Sequence, residues 1–113
     1  MTDTAENRLQ KCVQTLRAGL PVRELWLFGS CARGDAHSDS DFDFLVILPE
    51  NHGLKRPHLR ALQCISRLRA GICTDVLVLD ERTWRGKQAR PFGIWETILK
   101  EGRQIYAGIG NES

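Results

Sequence analysis

Apolar residues recur at two periods along this chain, and the switches between them mark its elements. From residue 5 to about 18, Ala5, Leu9, Cys12, Val13 and Leu16 stand three or four apart, which predicts a helix with one apolar stripe. Gly19 and then Pro21 predict its end. Glu24-Leu25-Trp26-Leu27-Phe28 is short, apolar and followed by Gly29, the pattern of a buried strand. The polar stretch from Ser30 to Ser40 predicts a turn or a short helix, capped by Ser30 and stopped by Gly34 and Asp35. Asp41 to Leu48 alternates at its start and then becomes wholly apolar, so it reads as a strand that begins at a solvent cleft and continues into the core.

Pro49 and Glu50 to Gly53 make the exit loop. Leu59, Leu62, Ile65 and Leu68 restore the helical period over 57 to 70, with Pro57 in the first turn and Gly71 at the close. Ile72 to Leu79 predicts a third strand, with Thr74, Val76 and Val78 on one face and Asp75, Leu77 and Leu79 on the other. After Asp80 the periodicity weakens. Trp84, Pro91, Phe92 and Gly93 interrupt any long helix until a short one at Ile94 to Lys100. Ile105-Tyr106-Ala107 suits a last short strand, and Gly108 to Ser113 is expected to fray. Two readings of Trp84, Phe92 and Trp95 stay open: rings packed on the sheet, or exposed anchors for a partner. The predicted fold class is α/β (α+β), a small mixed β-sheet with helices packed mainly on one side.

At 113 residues the chain has room for one core, so a single domain over 1–113 is expected. Hydrophobic residues make up 42% and charged residues 27%, ordinary for a globular protein and against disorder. No apolar run approaches the ~20 residues of a membrane span, and the polar, acid-bearing start does not resemble a signal peptide, so no membrane contact and a cytoplasmic location are expected. Cys12, Cys31, Cys64 and Cys73 form no C-x-x-C pair and no metal spacing with His37, His52 and His58, and they read as reduced thiols. A net charge of +2 is too small to demand a nucleic-acid partner, and none is expected. Lys55, Arg56, Arg60, Arg67 and Arg69 read as a solvated helix face.

The candidate chemistry lies between residues 28 and 43. Gly29 lets backbone approach a phosphate without a Cβ in the way, and Ser30 offers a hydroxyl and an amide. Arg33 is a further candidate for triphosphate charge. Asp41 and Asp43, two apart on a strand, place carboxylates on one side about 6 to 7 Å apart along the backbone. Such a pair is electrostatically unfavourable until cations neutralise it, and carboxylates suit magnesium. Asp75, at the start of another strand, can bring a third carboxylate to the same edge, as a two-metal site requires. Asp39-Ser40-Asp41-Phe42-Asp43 copies the opening of a calcium loop, but Phe44 occupies its glycine position and Leu45 to Leu48 would have to leave the core. There is no G-x-x-x-x-G-K-[ST] and no G-x-G-x-x-G.

Leu27-Phe28-Gly29-Ser30, ten intervening residues and Asp41-Phe42-Asp43-Phe44-Leu45-Val46 resemble the G-S-x(10)-D-x-D signature of the minimal nucleotidyltransferases of the DNA polymerase beta superfamily. Ala32-Arg33-Gly34-Asp35-Ala36, Asp75 and Glu101-Gly102 with Ile105-Tyr106 extend the likeness over nearly the whole chain, while Cys31 stands where an arginine or another large residue is more usual. The resemblance implies transfer of a nucleoside monophosphate, most often AMP from ATP, onto a hydroxyl, with two magnesium ions. It further implies an antitoxin that binds and adenylylates a helical HEPN-domain ribonuclease toxin. Two alternatives stand beside this: an antitoxin that acts by occlusion alone, and an enzyme acting on a small hydroxylated molecule.

Overall fold

A computed structural model describes residues 5–28, 42–66 and 74–107. The elements run α1 (Ala5–Gly19), β1 (Glu24–Phe28), β2 (Phe42–Leu48), α2 (Pro57–Ser66), β3 (Thr74–Asp80), α3 (Glu81–Ala89), α4 (Ile94–Glu101) and β4 (Arg103–Ala107). The strands form one mixed sheet in the order β3-β2-β1-β4. β1 is antiparallel to both neighbours, and β2 is parallel to β3 through the α2 crossover. The mixed α/β class expected from the sequence is the one observed. Among the described residues no helix is long and apolar enough to cross a membrane.

β2 is an inner strand covered on both faces, which explains why its body is a continuous apolar run: Phe44 to Leu48 are fully buried. Their alternation divides the core in two. Phe44, Val46 and Leu48, with Leu25, Leu27 and Val76, pack against Leu9, Cys12, Val13 and Leu16 of α1 and Ala61, Cys64 and Ile65 of α2. Leu45 and Ile47, with Phe28 and the half-buried Leu77 and Leu79, pack against Trp84 of α3 and Ile98 of α4. Each such fully buried side chain contributes about 1.5–3 kcal/mol. Helices therefore lie on both faces, the longer two on one and the shorter two on the other. The placement mainly on one side is corrected in this respect, because the second face is too apolar to stand bare.

α1 ends at Gly19 as expected, and the reason is contact. A Cβ at Gly19 would collide with Cys64 Sγ, so the glycine lets α1 and α2 approach. Cys12 and Cys64 are free, buried thiols, and burial pushes Cys12 up to about 11, which keeps it neutral. Cys31 and Cys73 lie outside the described residues, as do the expected turn of Ser30 to Ser40, the end of the 57–70 helix, Ile72 and the tail from Gly108.

α3 occupies a stretch expected to be irregular. Its sequence offers only one buried apolar residue, Trp84, so no stripe reveals it. What starts it is a cap: the Thr83 amide donates to Asp80 Oδ1 at 2.7 Å, and this bond holds the Asp80 carboxyl below its ordinary range. That contribution is present above the ordinary carboxylate range and is lost as pH falls through the lowered value. Of the three aromatics left open, Trp84 is 1% exposed and packs on the sheet, Trp95 is half-buried and Phe92 is 71% exposed.

Candidate functional site

The antiparallel register of β1 with β2 sets Phe28 opposite Asp43. Gly29 follows Phe28 and Asp41 precedes Phe42, so the chain leaves and re-enters the sheet at one end. The parallel register of β2 with β3 pairs Asp43 with Asp75. Adjacent strands lie about 4.8 Å apart, so these two acidic positions are direct neighbours at the entry of both strands. Their positions fall on the sheet face that carries Leu45, Ile47, Leu77 and Leu79, each two or four residues further along. Trp84 and Ile98 cover that apolar part of the face, and Asp43 is half-buried.

The structure thus brings together two of the sequence-predicted site residues, Asp43 and Asp75, by register. Gly29, Ser30, Arg33 and Asp41 lie outside the described residues, and Asp75 is described only by its backbone position. Like charges on directly paired positions repel, and nothing in β-sheet formation favours placing two acids side by side. Divalent cations remove that repulsion. The donor set is oxygen only, which suits a hard ion such as magnesium, and the two acidic positions therefore fit such an ion. Among the described residues no group of three or more His, Cys, Asp or Glu is gathered as a metal cluster.

Sequence reasoning missed one residue that shapes this end of the sheet. The chain turns from α4 into β4 at Gly102, whose amide donates to the Ile98 carbonyl at 2.7 Å. A Cβ there would lie 2.5 Å from Ile98 O and 3.3 Å from Leu27 O. Glycine therefore lets α4 close down on β1 one residue before Phe28. The available signal was a glycine directly after an amphipathic helix and before a strand.

Two cavities lie elsewhere, on the outer edge of the sheet between α1 and β4. Their volumes are about 460 and 410 Å³, and Arg17 and Tyr106 line both. The Arg17 guanidinium sits 4.0 Å from the Tyr106 ring centroid. Strand β1 separates this edge from β2 and Asp43.

Comparison with known proteins agrees with the geometry. A toxin–antitoxin crystal structure with AMP-PNP is 21% identical with a TM-score of 0.56, covering 90% of this chain and 75% of that one. A rebuilt structure of a tri-AMPylated Shewanella oneidensis HEPN toxin in complex with MNT antitoxin is 19% identical with a TM-score of 0.55, covering 92% and 73%. A Sulfolobus solfataricus structure, described as a candidate nucleotidyltransferase, is 24% identical with a TM-score of 0.55, covering 88% and 78%. These likenesses establish the fold. No curated protein matches the chain at a significant level. The family model described as "Nucleotidyltransferase domain" matches residues 7–105, nearly the whole sequence, and the chain belongs to that family.

Proposed function

We propose that this chain, acting as a single domain over 1–113 in the cytoplasm, transfers AMP from ATP to a hydroxyl of a partner protein. The observation that carries the reading is the register of Asp43 with Asp75 at the sheet end that Gly29 and Asp41 adjoin, in a chain of the nucleotidyltransferase family. Asp41, Asp43 and Asp75 would hold two magnesium ions, which supply charge neutralisation at the phosphates and lower the pKa of a bound hydroxyl. Gly29 and Ser30 hold the triphosphate through backbone and hydroxyl donors, and Arg33 adds positive charge. In the transfer the acceptor oxygen bonds to the α-phosphorus and loses its proton, the bond from that phosphorus to the bridging oxygen breaks, and pyrophosphate leaves.

The acceptor is a helical toxin of HEPN type, by likeness to the fold neighbours that are toxin–antitoxin complexes, one with an AMPylated toxin. The test is incubation with ATP labelled at the α-phosphate, magnesium and the product of the neighbouring reading frame, which this reading requires to be a small helical protein with an R-x(4,6)-H motif. Label on that protein, with a mass gain of one or more AMP units, is expected. Binding without label would favour occlusion, and label on a small hydroxylated compound alone would remove the antitoxin reading.

A further inference from the structure

The surface that joins α3 to α4 carries groups that the sheet does not use. Residues 82–95 hold four cations, Arg82, Arg85, Lys87 and Arg90, and no acid, in a chain whose net charge is only +2. Arg82, Arg85 and Arg90 are exposed, while Lys87 lies 5.3 Å from the Trp95 ring centroid. Immediately beyond them Phe92 is 71% and Ile94 45% exposed, on either side of Gly93, whose φ of 62° makes the turn. The acids around this surface are engaged at its margins. Glu50 reaches Arg85 at 3.8 Å through an exposed pair, Glu81 reaches Arg23 at 3.3 Å, Asp80 caps α3 and Glu96 reaches Lys100 at 3.8 Å.

Gly86 adds an independent observation. It stands in the middle of α3 with no positive φ, and a Cβ there would meet nothing within 4 Å. Glycine is the weakest helix former after proline, and the fold gains no close contact from it here. Gly86 shares the outer face of the helix, opposite the buried Trp84, with Arg82, Ala89 and Arg90, three or four residues away, and Arg85 stands beside it. That face offers bare backbone between guanidinium groups, with an exposed aromatic ring at its end.

We propose that this face docks an acidic helix of the partner protein, with its carboxylates on Arg82, Arg85 and Arg90 and an apolar side chain against Phe92 and Ile94. Its backbone passes close over Gly86. The proposal rests on the reading above that the acceptor belongs to a partner protein. α3 and α4 pack on the sheet face that also carries the Asp43 position, so a protein held there lies on the side where transfer takes place. A helix is favoured over a nucleic acid because the exposed apolar groups are one ring and one branched aliphatic chain, not a row of stacking rings.

The experiment measures calorimetric binding of the product of the neighbouring reading frame, without ATP, by wild type, by Arg85→Glu with Phe92→Asp, and by Gly86→Gln. Melting temperatures are recorded beside each. Both variants are expected to bind at least about tenfold more weakly, and raised salt is expected to weaken wild-type binding. Gly86→Gln is expected to melt no lower than wild type, so its loss of affinity cannot come from a damaged fold. Wild-type affinity in both variants overturns the proposal, and continued labelling of the partner in that case leaves the proposed function standing. No binding by wild type also overturns it. Binding of a mixed-sequence single-stranded RNA that the same substitutions abolish overturns it in favour of a nucleic-acid surface.

Discussion

Asp43→Asn is expected to lower nucleotidyl transfer by about a thousandfold, equivalent to ~4 kcal/mol of transition-state stabilisation, and to leave the melting temperature without magnesium unchanged or slightly raised. The two expectations have one cause. Asparagine keeps the size of the side chain and removes its charge, so it loses magnesium affinity and also the repulsion between paired acids at Asp43 and Asp75. A residue that served only the fold would behave in the opposite way, with lower stability and proportionate activity. Transfer of label from ATP and thermal melts on the same preparations separate these outcomes. Full activity in Asp43→Asn would remove the metal assignment.

Trp84→Ala should produce the largest loss of stability, about 3–5 kcal/mol, which lowers the melting temperature by more than ~10 °C. Trp84 is 1% exposed and meets Trp26 edge to face at a centroid distance of 5.6 Å. It also packs with Leu45, Ile47 and Ile98, so its loss opens a cavity under both short helices. Trp84→Phe should recover most of the loss. The indole Nε1 is buried with no hydrogen-bond partner among the described residues, and phenylalanine keeps a ring while removing that donor. Chemical denaturation of the two variants checks this, and equal losses would contradict it.

The strands and the two longer helices were legible in the sequence because burial leaves a periodic trace. The run Glu24 to Phe28 predicts β1 over its observed span, and the alternation in β3 predicts the opposite faces on which Val76 and Val78, and Leu77 and Leu79, pack. α3 left no such trace, since a helix held by one buried tryptophan and an aspartate cap has too few apolar positions to show a period. Its signal was local, in Asp80 followed by Glu81 and Thr83. For the same reason the second helical layer was underestimated. At the candidate site, the spacing of Asp41 and Asp43 was visible along one strand, whereas the pairing of Asp43 with Asp75 depends on a crossover and a register that no local pattern specifies. The contact roles of Gly19 and Gly102 were not legible either. A glycine that stops a helix and one that admits a neighbouring atom look alike in a sequence.

Metal and nucleotide are expected to meet at the sheet end marked by Phe28, Asp43 and Asp75. Iron(II) put in place of magnesium, with ATP, ascorbate and peroxide, cuts backbone close to the bound ion, and fragment masses locate the cuts. Cleavage is expected between residues 28 and 43 and around residue 75, lost in Asp43→Asn. Cuts that map to the α1–β4 edge around Arg17 and Tyr106, or that persist unchanged in Asp43→Asn, would contradict it.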